Sequence, residues 1–476
     1  MSANIVTFIK RNLLIDVLFL VGTYVASVLI VDPVGNFPLD DDWSFARAVK
    51  GLFEHGDWRP TGWTGMPLIT QALWGSIFCV PAGFSFNALR ISTLTLAIVG
   101  ILGVYVLFIT NHRGRLLAVT AALTLGFNPI YYVLSNTFMT DVPFTALAIL
   151  SSIFFMRCIR RFGYLDLSIA CVLAMAATLC RQLGLFLPLA FTVALLVQRG
   201  VSIRALAQAI FPLMVCMIAL MLFQQWMSIT GRTPSLYGTF WDTDSLSIRI
   251  IGSRIDTALL YLGLFCLPIL LLGSGKPRLN TNLAILRVLP ALSAGLFALV
   301  SIIFAFNMLR AWMPISKNIT FPQGLGPLTF GSQEPLPWPF WVIVTGLSLV
   351  GGVLLVRGIV ASSMVLLQKL RISDLRDEDI IQIFCLTAVG AYALPIMWGG
   401  FFDRLPASVG TLPSLFECRW ATARGRLSND AENRVSSSYY LRRSVCRPRH
   451  ERFSDAAPGR LGGVGRTSAN CWRQRA

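Results

Sequence analysis

Three adjacent aspartates, Asp40-Asp41-Asp42, stand just beyond the first apolar run of the chain, Leu13 to Val31, and Trp43 follows them. Two further polar groups interrupt apolar sequence downstream. Thr140-Asp141 opens one hydrophobic run, and Arg181-Gln182 separates two short ones. Carboxylates beside hydrocarbon are costly and adjacent ones repel, so such a cluster is a functional-site candidate before anything else is known. A carboxylate can take the proton of an attacking hydroxyl. A guanidinium can hold a phosphate through paired hydrogen bonds. Asp41, Asp42 and Asp141 are therefore candidates for acid–base work, and Arg181 with Gln182 for holding a phosphate. Each has a plainer reading: a solvated cap for the acidic run, an N-cap for Asp141, a snorkelling side chain for Arg181.

These residues can meet only if membrane helices bring them together. Hydrophobic residues make up 55% of the chain and charged ones 13%, about half the charge of a soluble domain. The apolar residues fall in blocks of about 17–25, the length that crosses a bilayer as a helix. Spans are expected at 13–31, 88–110, 115–134, 142–156, 167–180, 183–198, 206–228, 255–273, 288–308, 339–361 and 380–400. The fold class is all-α integral membrane, with about eleven transmembrane helices. Lys10-Arg11 precede a run without a small-residue cleavage site, so the first helix reads as a retained signal anchor. Between the first two spans, Phe45, Val49 and Leu52-Phe53 recur at near-helical spacing, which predicts an interfacial amphipathic helix over 42–55. Its first turn holds aspartates, where the helix dipole favours negative charge. Met66 to Val80, close to Asp57, Trp58, Arg59 and Trp63, reads as a second helix lying on the interface.

Charge placement orients the bundle. Lys10-Arg11, Arg113, Arg115, Arg157, Arg160, Arg161, Arg199, Arg204, Lys276, Arg278, Arg287, Lys369 and Arg371 all fall on one side. The positive-inside rule makes that side cytoplasmic. The aspartates, Asp141, Arg181 and the loops 229–250 and 309–338 then face outward, toward periplasm or exterior, from a multi-pass protein of the cytoplasmic membrane. The net charge of +17 comes from cytoplasmic loops and the tail and does not imply nucleic acid. The ten cysteines sit largely inside spans without CxxC or Cys/His metal spacing, so neither a disulfide framework nor a metal site is expected. Asp242 and Asp244 read as loop solvation, and His55 as interfacial.

The pattern changes after Arg404. Residues 405–476 contain no block long enough to span, no lysine, and an arginine-rich stretch at Arg442, Arg443, Arg447 and Arg449. Such a segment cannot bury enough apolar surface to fold alone. Two domains are thus expected, a membrane domain over 1–404 and a tail over 405–476. The tail reads either as a reading-frame shift that replaced native spans or as a genuine basic tail.

The order of motifs resembles the membrane glycosyltransferases that use polyprenyl-phosphate sugars, a group with a C-type fold. It includes protein mannosyltransferases, aminoarabinose transferases of lipid A and galacturonic-acid transferases of lipopolysaccharide core. Asp41-Asp42-Trp43-Ser44-Phe45-Ala46 looks like the family's acidic motif, and Gly56-Asp57-Trp58 like the segment that follows it. Met139-Thr140-Asp141-Val142-Pro143 is similar to the second acidic motif. Leu179-Cys180-Arg181-Gln182 corresponds to a position where relatives carry Lys or Arg, and Gly324-Leu325-Gly326-Pro327 is similar to a glycine-rich outer-loop stretch. The resemblance spans about residues 10–404 and departs after Phe401-Phe402-Asp403-Arg404, where relatives continue into a further span. It implies inverting transfer of a sugar from a polyprenyl-phosphate donor to a lipid, glycan or protein hydroxyl; relatives differ over a bound metal, and with no Cys/His set in this chain no cofactor is expected. Asp41 would be the base, Asp42 or Asp141 would orient the acceptor or share that role, and Arg181 would neutralise the departing phosphate. A polytopic transporter and a surface-polysaccharide polymerase or ligase remain the competing readings.

Overall fold

The computed structural model describes residues 3–39, 41–111, 114–237, 248–273, 284–307, 319–325, 334–372 and 375–398. Asp40, Asp242, Asp244, Gly326, Pro327, most of the loop 309–338 and the whole tail 405–476 lie outside the described residues. Within them the chain is almost entirely helical. Ala3–Val31 (α1) leads to two shorter helices, Asp42–His55 (α2) and Ile69–Cys79 (α3), in the first long loop. Phe86–Thr110 (α4), Arg115–Gly126 (α5), Pro129–Ser135 (α6), Asp141–Arg160 (α7) and Tyr164–Cys180 (α8) follow. A short 3-10 turn, Gln182–Leu185, joins α8 to Phe186–Arg199 (α9), and Ile203–Ile229 (α10) packs on α9. Then come Ile248–Gly273 (α11), Ala284–Asn307 (α12), a two-residue hairpin pairing Thr320 with Leu325, Trp338–Ile372 (α13) and Asp377–Trp398 (α14).

Seven described helices are long and apolar enough to cross a membrane, or eight if one bent pair counts as a span. The expected eleven is therefore not confirmed, although the all-α membrane architecture is. The run 115–134, expected as one span, is broken in the middle. The chain bends by 59° between α5 and α6. Asn128 causes it: its side chain accepts hydrogen bonds from the main-chain N–H groups of Ile130 and Tyr131, at 3.0 and 3.1 Å, and so starts a new helix. Pro129 follows at the first helical position, where its missing N–H costs nothing. Helices α3 and α8 and the stretch Val288–Ile303 of α12 are apolar but shorter than a span.

Helix α7 is the centre. Some 78% of its most apolar stretch is buried, against 17% for α1 and 22% for α10. It packs on α4, α8, α9 and α14. One core runs from Leu20 and Tyr24 of α1 through Phe108, Phe144, Phe155 and Phe191 to Phe384 and Tyr392 of α14. Burying a large apolar side chain contributes about 1.5–3 kcal/mol in water; in lipid, close packing between helices takes over more of that role.

The ends of the bundle differ in kind. At one end, Arg160 of α7 donates to the Thr110 carbonyl at 3.0 Å and to Asn111 at 2.5 Å, beyond the end of α4. Gln198 of α9 donates there to the Ile159 carbonyl (2.8 Å) and to Asp377 (3.1 Å), at the start of α14. Lys369 of α13 clasps the buried Asp379 at 2.9 Å. The opposite end, the 20 residues of α7 away and so about 30 Å distant, holds the aspartates and Arg181.

Candidate active site

Four segments meet at that end, and main-chain bonds knit them. Asp42 opens α2 and is fully buried. One of its carboxylate oxygens accepts from the Leu39 N–H at 2.6 Å, the other from the Phe138 N–H at 3.3 Å. The second bond ties the first acidic motif to the segment carrying Asp141. Gln71 of α3 grips that segment too, donating to the Phe138 carbonyl at 2.9 Å. Helix α3 is docked in turn on the break after α8, where the Leu68 N–H donates to the Cys180 carbonyl at 3.3 Å.

Arg181 owes its place to that break. Its backbone is extended (φ −144°, ψ 134°) between the end of α8 and the 3-10 turn. Gly184 allows the turn to fold back on α8, because a Cβ there would collide with the Thr178 main chain. The guanidinium, almost fully buried, reaches the Asp141 carboxylate in the first turn of α7 and forms an ion pair with Oδ1. Its carbon lies 6.0 Å from the Phe144 ring centre. Tyr392 of α14 walls the same place, stacked on Phe144 at 6.1 Å and edge-on to Phe186 at 5.3 Å. Asp141 Oδ2, Thr140 Oγ1 and Gln71 Oε1 are buried polar atoms without a hydrogen-bond partner among the described residues. Each such atom costs about 1–3 kcal/mol unless something polar meets it.

Asp41 is the N-cap residue of α2, but its side chain makes no capping hydrogen bond. It is partly exposed, unlike Asp42. Gln182 donates to the Gly65 carbonyl at 3.1 Å, so its amide faces the first loop. Asp40 lies outside the described residues. Thus the structure brings Asp42, Asp141, Arg181 and Gln182 into one connected set, with Asp41 adjacent in the chain.

The Gly56-Asp57-Trp58 segment braces this end from the side. Gly56 takes a left-handed conformation (φ 65°) that ends α2 and suits glycine. Asp57 pairs with Arg59 at 2.6 Å and with Arg232 at 2.7 Å. Trp58 is buried against Phe223 and Trp226 of α10, at ring distances of 5.4 and 5.8 Å. Ser44, on the buried face of α2, bonds Thr61 and lies 3.4 Å from Thr64.

Sequence reasoning missed Arg90. It is buried in the first turns of α4 and donates to the carbonyls of Pro33 (3.0 Å), Gly35 (2.6 Å) and Phe37 (2.6 Å), fixing the chain that enters the aspartates. A charge inside an apolar run was the available signal. Gln71 carried the same kind of signal in a weaker form.

Chemically, the arrangement offers a partly exposed carboxylate at a helix start, a buried carboxylate serving as a main-chain clamp, and a buried carboxylate–guanidinium pair with one unmet oxygen. No family model matches the chain, and no curated protein matches it significantly. Solved structures similar to it include two of ArnT from Cupriavidus metallidurans. One, in the apo state, is 17% identical with a TM-score of 0.37. The other, bound to undecaprenyl phosphate, is 16% identical with a TM-score of 0.40, and each match covers 84% of this chain and 76% of that one.

Proposed function

We propose that this protein transfers a sugar from a polyprenyl-phosphate donor to an acceptor hydroxyl, with inversion, at the outer face of the cytoplasmic membrane. The observation that carries the reading is the linkage just described. Asp42 joins the start of α2 to Phe138, three residues before an Asp141 that is paired with Arg181. This sits at the end of the bundle opposite the basic residues, which favours an outward site by the positive-inside rule.

In this mechanism the acceptor oxygen attacks the anomeric carbon, and the bond from that carbon to the phosphate oxygen breaks. Asp41, whose carboxylate is not spent on capping, takes the acceptor's proton. Asp42 has both oxygens engaged by main-chain N–H groups, so it positions the helix start that presents Asp41. Arg181 spends one of its five N–H donors on Asp141 and offers others to the departing phosphate. Gln182 holds the adjoining loop at Gly65, and the unmet oxygen of Asp141 orients the acceptor. A lipid phosphate leaves readily, so the reaction needs no strong general acid. The acceptor is a lipid, glycan or protein.

The test is transfer of radiolabelled sugar from a polyprenyl-phosphate sugar in membranes carrying the full chain. Asp41→Asn should lower transfer by about 10²–10⁴-fold while the protein accumulates normally. Near-normal transfer by the variant overturns the role of Asp41. Sugar flux without covalent transfer in the unaltered protein overturns the enzymatic reading in favour of a transporter.

A further inference from the structure

At the basic end, away from the candidate active site, the turn between α9 and α10 and the start of α8 form an open cavity of about 310 Å³. Phe162, Tyr164, Arg199, Ser202, Arg204 and Gln208 line it. Its donors are held in place. Arg199 lies over the Phe162 ring at 4.3 Å and donates to Gln208 at 2.7 Å. The Gln208 amide faces the Tyr164 hydroxyl at 3.4 Å, and Arg204 lies along the same wall. Ser202 caps α10 by accepting from the Ala205 N–H at 3.2 Å, so the positive end of a 27-residue helix adds to the field there. Asp166, two residues beyond Tyr164, is taken by Arg157 at 3.1 Å and does not neutralise the arginines.

The rim decides what this positive cavity meets. Val201 and Ile203 are 85% and 91% exposed on either side of Ser202, and Tyr164 and Leu165 are exposed on the facing helix. Bare aliphatic side chains around a two-arginine pocket, at the end of membrane-length helices, match a ligand with acyl chains outside and a phosphate inside. A soluble anion would have no use for that rim. Basic pockets between transmembrane helices recognise anionic headgroups on this principle.

We propose that this cavity binds the phosphate headgroup of an anionic phospholipid. Arg199 and Arg204 contact the phosphate, and Val201, Ile203 and Leu165 contact the acyl chains. Because Arg199 closes α9 and the 3-10 turn carrying Gln182 opens that helix, an occupied pocket steadies the helix whose far end adjoins Arg181.

The test uses the full chain purified in detergent and incubated with an equimolar mixture of phosphatidylglycerol and phosphatidylcholine. Retained lipid is read by native mass spectrometry. The unaltered protein should retain phosphatidylglycerol in preference. Each arginine contributes about fivefold, so R199Q/R204Q should lose that preference by about 25-fold. R376Q, which removes an exposed arginine outside the pocket, should keep it. Should the double variant not elute as a single species, R204Q alone replaces it, with about a fivefold loss expected. Equal retention by the pocket variants and the unaltered protein overturns the proposal. Displacement of phosphatidylglycerol by inorganic phosphate at equal concentration also overturns it, since the acyl chains would then contribute nothing. Sugar transfer by Asp41→Asn tests the catalytic reading alone and does not bear on lipid retention in this pocket.

Discussion

Asp141 and Arg181 have each given up solvent for the other, so neither can be judged alone. Removing one partner of a buried pair leaves the other charge uncompensated and costs about 3–5 kcal/mol, whereas removing both costs less than the two losses added together. Arg181→Ala should therefore lower the thermal unfolding midpoint of the purified protein markedly, and adding Asp141→Ala should recover part of the loss. Strictly additive losses would show that the pair is not coupled. Both residues were legible in the sequence because a charge within apolar surroundings announces itself. What joins them to the first acidic motif was not. Asp42 is bonded by the main-chain N–H groups of Leu39 and Phe138, and every residue but proline carries such a group, so no side-chain pattern encodes the link. Arg90 was visible as a letter, but its three carbonyl acceptors were not, for the same reason.

Helices follow from hydropathy, but their breaks follow from single residues. The runs at 88–110 and 206–228 appear as α4 and α10 with modest extensions, since long apolar stretches leave few alternatives. The run at 115–134 is bent because its mean hydropathy conceals Asn128-Pro129, whose capping and missing N–H act locally. The break at Arg181 was anticipated from its polarity, yet the part played by Gly184 depends on how closely the turn approaches α8. Gly184→Ala should push the turn off Thr178 and shift Arg181. A displacement of about 1 Å costs on the order of 10²-fold in rate. We expect that loss in sugar transfer with helix content by circular dichroism unchanged. Full transfer by this variant would mean that the turn tolerates the methyl group and that Arg181 does not depend on it.

For the bundle as a whole, α1 is the outlier. Most of its surface faces away from the protein, and polar contacts anchor it. Tyr24 donates to Ser135 of α6 at 2.6 Å. Asp16 receives Arg115 of α5 through both oxygens, at 2.6–3.0 Å, and the Tyr105 hydroxyl of α4 at 2.7 Å. Arg115→Ala should loosen α1 selectively, exposing it to limited proteolysis while α7 and its neighbours stay protected. Protection equal to that of the unaltered protein would show that the apolar contacts of α1 suffice. The clamp also has a consequence for synthesis. Asp16 enters the membrane 99 residues before its counter-ion exists. At about 5–20 residues per second, that is a wait of roughly 5–20 s. The clamp on the first helix can close only when the ribosome has delivered α5.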